Sequence, residues 1–180
     1  RSRTYFPYLI LALGVLATYA QSLGFGFIQL DDPKHIFENP VMLSPSLSGL
    51  GSIWAAPYFG LYIPVTYTFW FLASCVSHSP VWFHFLNLLI HLANTLLCFA
   101  LIKVVLESRG LKASSVAPLI GALLFALHPL QTQTVSWIST TKDLLSAFFS
   151  LLALVAWSSQ AHKKEWVKEG GFALVFYVLG

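Results

Sequence analysis

PVTYTFWFLASCV, Pro64 to Val76, decides the fold. By hydropathy alone it reads as a membrane span. The charges around it say otherwise. Cytoplasmic loops of membrane proteins collect Lys and Arg. If Ser44–Val81 does not cross, Arg1, Arg3, Lys103, Arg109, Lys112, Lys163, Lys164 and Lys168 fall on one face, and only Lys34 and Lys142 on the other. If it crosses, the last six of the larger group leave Arg1 and Arg3 behind. The segment is therefore expected to be interfacial or re-entrant helix, interrupted at Pro45, Pro57, Pro64 and Pro80. Such backbone survives at membrane depth only where protein covers it or water reaches it. A cavity on the non-cytoplasmic face follows.

The rest of the chain is consistent with a bilayer as solvent. Of its 180 residues 57% are hydrophobic and 9% charged, with a mean hydropathy of +0.72 and a formal charge of +3. Soluble domains carry about 25% charged residues. The expected fold is all-α and polytopic, with about five spans of roughly 20 residues each. Phe6–Phe27, Trp82–Ile102, Val116–Leu127 and Lys142–Trp157 are four of them, and Gly171–Gly180 begins a fifth. The apolar run of the first exceeds the roughly 7–15 residues of a signal-peptide core. The last stops in mid-run, as in a fragment of a longer chain. Cys75 and Cys98 lie in apolar surroundings, so no disulfide framework is implied. There is no CxxC, HExxH, P-loop or GxGxxG. The scattered basic flanks give nucleic-acid binding no support.

Three groups of residues carry possible chemistry. The first is LDDPKHIFENP, Leu30 to Pro40. No Asp, Glu, Lys or Arg occurs from Thr4 to Leu30 or from Asn39 to Ile102, so the paired carboxylates stand between two charge-free runs. Asp32 before Pro33 is a good helix cap. Equally, one of Asp31 and Asp32 can serve as a general base while the other positions substrate or a divalent cation. The second is HPLQTQTVSWISTTKDLL, His128 to Leu145. Val116–Leu127 makes only about 18 Å of helix, short for a core of about 30 Å. It ends at or just below the outer surface, so His128, Lys142 and Asp143 meet the face that carries Asp31 and Asp32. Lys142 and Asp143 would do there as snorkelling and capping residues too.

The third is a polar stripe at helical spacing: His84, Asn87, His91, Asn94, Thr95 and Cys98. Polar groups in a span face the bundle interior or a wet cavity. The deeper Asn94 and Thr95 read as interhelical glue; His84 and Asn87, nearer the outer surface, can line the site. His84 and His91 are seven residues apart, about 10 Å of helix, too far to share one zinc. The aromatics Trp54, Tyr58, Tyr62, Tyr67 and Trp70 read as an interfacial belt on which a sugar could stack.

In order, DDPKHIFENP, YIPVTYTFW, FHFLNLLIHLANTLLCF and ALHPLQTQTVSWISTTKDLLSAFFSLLAL resemble the N-terminal membrane region of the transmembrane and tetratricopeptide-repeat O-mannosyltransferase-like proteins, bacterial type. These are similar to the GT-C glycosyltransferases. The resemblance covers roughly residues 6–159. It implies a multi-span enzyme moving a sugar from a polyprenyl phosphate to a hydroxyl of an exported protein or glycan. Asp31 or Asp32 would be its base, and residues 28–81 would form an outer loop of interfacial helices. His128, Lys142, Asp143 and Gln133, with His84 and Asn87, would stand at the lipid-sugar site. No cofactor is implied beyond an optional divalent cation. The further spans and any repeat domain would lie beyond this chain, in a bacterial inner membrane with the N-terminus cytoplasmic and Asp31-Asp32 periplasmic. Two charges of the family pattern are replaced: an acidic residue by Gln133, and an Arg by Ile63. These replacements suit a non-catalytic membrane subunit or scaffold of the same fold. The polar stripe would suit a lipid-linked sugar transporter.

Overall fold

The structure is a computed structural model that describes residues 5–111 and 116–161. Arg1, Arg3, Lys112, Lys163, Lys164, Lys168 and the proposed fifth span at Gly171–Gly180 lie outside the described residues. The described chain is all-α. Its helices are α1 Phe6–Tyr19, α2 Pro40–Leu43, α3 Leu47–Ala55, α4 Pro64–Ser74, α5 Pro80–Ser108, α6 Val116–Ala126, α7 Gln131–Ser136 and α8 Thr141–Ala161. A 3-10 turn, Ala20–Gly24, extends α1, and another, Ile138–Thr140, leads into α8. Among the described residues three stretches are long and apolar enough to cross a membrane: Phe6–Gly24, Pro80–Ser108 and Ile138–Ser159. Proline opens α1, α2, α4 and α5, where its missing N–H costs nothing.

Contacts fix the directions of the helices. Tyr8 meets Phe99 and Tyr19 meets His91, so α1 runs antiparallel to α5. Gly121 packs on Ile102 while the Ala126 carbonyl accepts a bond from His91, so α6 also runs antiparallel to α5. Thr141 meets Asn87 and Leu144 meets Asn94, so α8 runs with α5. The short α6 therefore returns the chain to the end at which α8 must start. Its 11 residues span only about 16 Å, and α7 with the 3-10 turn makes up the remaining depth.

That stretch is irregular backbone inside the bundle, and side chains of neighbouring helices satisfy it. Tyr19 Oη and His91 Nε2 both bond the Ala126 carbonyl, each at 3.0 Å. Asn87 Nδ2 donates to the Trp137 carbonyl at 3.2 Å. Beyond that stretch, Asn94 Nδ2 also donates to the Leu144 carbonyl within α8 at 2.9 Å. Val135 of α7 is fully buried against Val15, Tyr19 and Leu88.

The segment that opened the question divides into α2, α3 and α4, of 4, 9 and 11 residues. None is among the helices long enough to cross. Asn39 and Ser46 cap α2 and α3 through Val41 N and Gly49 N. Trp70 and Tyr67 of α4 are buried with Ile36, Met42, Phe83 and Ile138 in one apolar cluster. Both ends of α4 meet the same end of the bundle. Its start shares a cavity wall with Lys142 at the head of α8; beyond its far end, His78 bonds the Met42 carbonyl at 2.9 Å and Trp82 Nε1 donates to the Ala73 carbonyl at 3.1 Å.

An interfacial α4 makes a direct prediction. With Cys75 and Cys98 replaced by Ser, single cysteines at Lys34 and Ser79 react with a membrane-impermeant maleimide from one side. A cysteine at Arg109 reacts from the other. Labelling of Ser79→Cys from the Arg109 side would mean that α4 crosses.

Candidate functional site

The acidic pair divides into two different environments. Asp32 is completely buried. It stands at the N-cap of a π-helical turn, Pro33–Phe37, yet its side chain does not cap that turn. The carboxylate turns inward instead. Oδ2 accepts from Ile28 N at 2.8 Å. Oδ1 accepts from Ser139 N at 2.9 Å and also from Ser139 Oγ. Hydrogen bonds to a charged acceptor are worth about 1.5–3 kcal/mol each, so this three-donor cradle is a strong clamp. It binds the loop after α1 to the turn that opens α8.

Asp31, next in the chain, is only half-buried. Among the described residues no donor bonds its carboxylate, while its carbonyl accepts from His35 N at 3.1 Å. One turn on, His35 is 5% exposed. Burial lowers its pKa; Asp31 opposes that most strongly, Lys142 adds to it, and Asp32 and Lys34 act more weakly in opposite directions. The imidazole thus lies within electrostatic reach of charges from both ends of the sequence. Its Nδ1 lies 2.7 Å from Tyr67 Oη. Burial, assisted by Tyr58, raises the pKa of Tyr67, which therefore stays a neutral phenol.

Above His35 lies a tight turn. Tyr58 N bonds the Leu61 carbonyl at 3.0 Å and Leu61 N returns to the Tyr58 carbonyl at 2.9 Å. Both central residues have positive φ, +47° at Phe59 and +79° at Gly60, the pattern of a type I′ turn. Gly60 adopts it freely; Phe59 bears roughly 1 kcal/mol of strain. The ring of Phe59 packs edge-on to His35, centroids 5.8 Å apart, and carries the Lys34 ammonium 4.4 Å above its centre. Lys34 is exposed, and at such a site a cation over a ring is worth about 0.5–1 kcal/mol, close to what the strain costs.

Beside this cluster opens a cavity of about 540 Å³. Trp54, Tyr62, Ile63, Lys142, Asp143 and Ser146 are among the residues that line it. Lys142 is half-buried and Asp143 exposed. Leu145 belongs to this wall and also to a second, almost wholly apolar groove of about 320 Å³ between α4, α5 and α8.

The remaining residues expected at the site are placed differently. His128 is exposed, and its Nδ1 accepts from Leu130 N at 3.2 Å within its own turn. Gln133 is exposed on α7. His84 and Asn87 are fully buried and bond backbone: His84 Nε2 lies 3.4 Å from the Gly26 carbonyl, and Asn87 reaches Trp137 and, at 2.7 Å, the Thr141 hydroxyl. Four contributors escaped the sequence reading: Ser139, His35, Tyr67 in its polar role, and Phe59. The hydroxyl of Ser139 ahead of Lys142 was the available signal. Among the described residues no three His, Cys, Asp or Glu side chains come together, and the oxygens of Asp32 are already bonded.

Comparison with known proteins gives the chain a context. It is 28% identical over 190 residues to Protein O-mannosyl-transferase TMTC4 of Mus musculus, covering 95% of this chain and 25% of that protein. It is 30% identical over 162 residues to Protein O-mannosyl-transferase TMTC3 of Homo sapiens, covering 83% of this chain and 17% of that one. With Protein O-mannosyl-transferase F38B6.6 of Caenorhabditis elegans it shares 28% over 161 residues, 82% of this chain and 22% of the relative. The chain spans about a quarter of the length of the first of these. These relatives are animal proteins, not the bacterial type expected from the sequence. No family model matches the chain. No solved structure matches it. The similarity extends over most of the chain and joins it to proteins named for O-mannosyl transfer.

The clamp predicts that the two aspartates separate by stability. Asp32→Ala strands the buried Ser139 N–H and hydroxyl and the part-buried Ile28 N–H, and should cost about 3 kcal/mol. Asp31→Ala should stay within about 0.5 kcal/mol of wild type. Thermal unfolding of the full-length protein in detergent measures both, and equal losses would contradict the division.

Proposed function

We propose that the chain is the N-terminal part of a GT-C-like membrane domain that transfers a sugar from a polyprenyl phosphate to a hydroxyl of an exported protein or glycan. Its similarity to protein O-mannosyl-transferases over most of its length supports a glycosyltransferase. One observation carries the reading further. Asp32 bonds Ser139, three residues ahead of Lys142, so a free carboxylate from the first loop and an ammonium from α8 act on the same imidazole.

In this reading the two aspartates take different parts. Asp32 holds the loop, and Asp31, whose carboxylate is left unbonded, is the base. It takes the proton from the acceptor hydroxyl. The oxygen attacks the anomeric carbon, and the bond from that carbon to the phosphate oxygen breaks with its electron pair leaving on the phosphate. Attack opposite the leaving group inverts the anomeric centre. Lys142, in the cavity wall, offsets the phosphate charge. The apolar groove that shares Leu145 with the cavity suits the lipid tail. The exposed Asp143 in the cavity wall is assigned to the sugar. His84 and Asn87 support the site from below. The loop with Asp31 faces away from the cytoplasm, since Lys103 and Arg109 stand at the far end of α5.

Ile63 favours a second reading. It lines the cavity at the position where the family pattern has an Arg. A chain that keeps the fold without that charge fits a non-catalytic subunit.

The test uses the full-length protein in membranes with a polyprenyl-phosphate sugar. Asp31→Asn should lower the transfer rate by about 10²–10⁴-fold, the usual contribution of a general base. Lys142→Met should raise KM for the lipid donor. Transfer at the wild-type rate in Asp31→Asn rejects the base. A wild-type protein that copurifies with the lipid but transfers nothing favours the second reading.

A further inference from the structure

One wall of the cavity is made of hydrogen-bond donors that have nothing to bond. It lies where α4 begins. Pro64 opens that helix and has no N–H, and Tyr67 N bonds the Ile63 carbonyl at 3.0 Å. The two N–H groups between them, of Val65 and Thr66, have no acceptor among the described residues. Ile63 stands at the N-cap, and its side chain has no oxygen with which to cap the turn. Val65 and Thr66 both line the cavity.

The Thr66 side chain is an independent sign of a missing partner. The residue is only 5% exposed. A hydroxyl buried this deeply is ordinarily bonded. This one makes no hydrogen bond among the described residues, yet neighbouring atoms do not seal it off. The little of Thr66 that stays open includes its hydroxyl, and the space beside it is the cavity.

From the α8 side, Lys142 is half-buried and so is Ser146, one turn further on, whose hydroxyl also makes no bond among the described residues. Asp143 is the acidic side chain of the lining; it is exposed, so solvent screens its charge more than that of the half-buried ammonium. The wall thus offers two N–H groups, two hydroxyls, an ammonium and the positive end of an 11-residue helix. A neutral sugar needs acceptors as well as donors. An anion with several oxygens needs donors alone, and free N–H groups at a helix start are a phosphate site when joined by such partners.

We propose that the start of α4, with Thr66 as its side-chain donor, seats the phosphate of a polyprenyl-phosphate lipid, and that Lys142 completes the seat from α8. This rests on the transferase reading and deepens it, since that reading gave the phosphate Lys142 alone. The lipid source follows from the apolar groove that meets the cavity at Leu145, for which a free phosphate has no use. As the glycosyl bond breaks, its electron pair stays on the phosphate, which gains a negative charge. Donors fixed in advance stabilise that charge without reorganising.

Thr66→Val is the informative variant, because it keeps the shape and removes only the hydroxyl. Native mass spectrometry of the full-length protein in detergent measures binding of a long-chain polyprenyl phosphate, the corresponding polyprenol, inorganic phosphate and phosphatidylglycerol. Wild type should bind the polyprenyl phosphate at least about tenfold more tightly than the polyprenol, and Thr66→Val should lose about tenfold, the worth of one bond to a charged acceptor. Thr66→Ser should recover most of it. The melting temperature without lipid should not fall in Thr66→Val, since the hydroxyl bonds nothing in the protein. Equal affinity in Thr66→Val and wild type overturns the proposal, as does a melting temperature that falls together with binding. Displacement by an equal amount of phosphatidylglycerol means a general headgroup site, and inorganic phosphate binding with the same dependence on Thr66 means a free-anion site; either overturns the assignment to a polyprenyl lipid. Thr66-dependent binding in a protein that transfers no sugar keeps the seat and rejects the transferase reading. Transfer with wild-type kcat/KM in Thr66→Val keeps that reading and rejects the seat.

Discussion

A single buried carboxylate joins the two halves of this structure. Asp32 gathers Ile28 N, Ser139 N and the Ser139 hydroxyl, and 107 positions separate it from Ser139. A full charge inside a bundle is costly unless donors surround it. Here two of the three donors are backbone N–H groups that need an acceptor where two irregular segments meet. The arrangement relieves both problems at once, and it fixes how the first loop sits over the head of α8.

A second constraint operates deeper. The bundle must turn the chain around with only 11 residues of helix in α6. The carbonyls exposed by this economy are taken up by side chains of α1 and α5, which explains why those helices carry Tyr19, His91 and Asn87 where leucine would otherwise serve. Individual contacts of this kind are worth only about 0.6 kcal/mol. Their collective effect is to let non-helical backbone persist at depth.

The sequence made much of this legible. Charge-free runs marked the long helices, the brevity of Val116–Leu127 announced the irregular stretch after it, and the isolation of Asp31-Asp32 drew attention to the loop. Local pattern, however, has no way to tell one aspartate from its neighbour. Their difference depends on Ser139, whose role is set by folding and not by spacing. His84 and Asn87 share one helical face with His91 and Asn94, so periodicity could group them but could not say whether that face looks at a cavity or at backbone. His35 was hidden for a related reason: an imidazole in a polar loop is unremarkable until a phenol from α4 and a ring from a strained turn close around it. Tyr67 in turn was read as one aromatic of an interfacial belt, because its hydroxyl has a purpose only once Tyr58 and His35 are both in place.

The carbonyl of Ala126 has implications for how the protein is made. Its two donors, Tyr19 and His91, belong to segments synthesised before it. The apolar stretch of α6 is thus too short to be secure alone in a bilayer, but it emerges from the ribosome when both partners already exist. Biogenesis then has a built-in order, with α1 and α5 forming a slot and α6 entering it as it is translated. A defect in either donor would be felt first as delayed insertion and premature degradation of the nascent chain, before any loss in the mature protein.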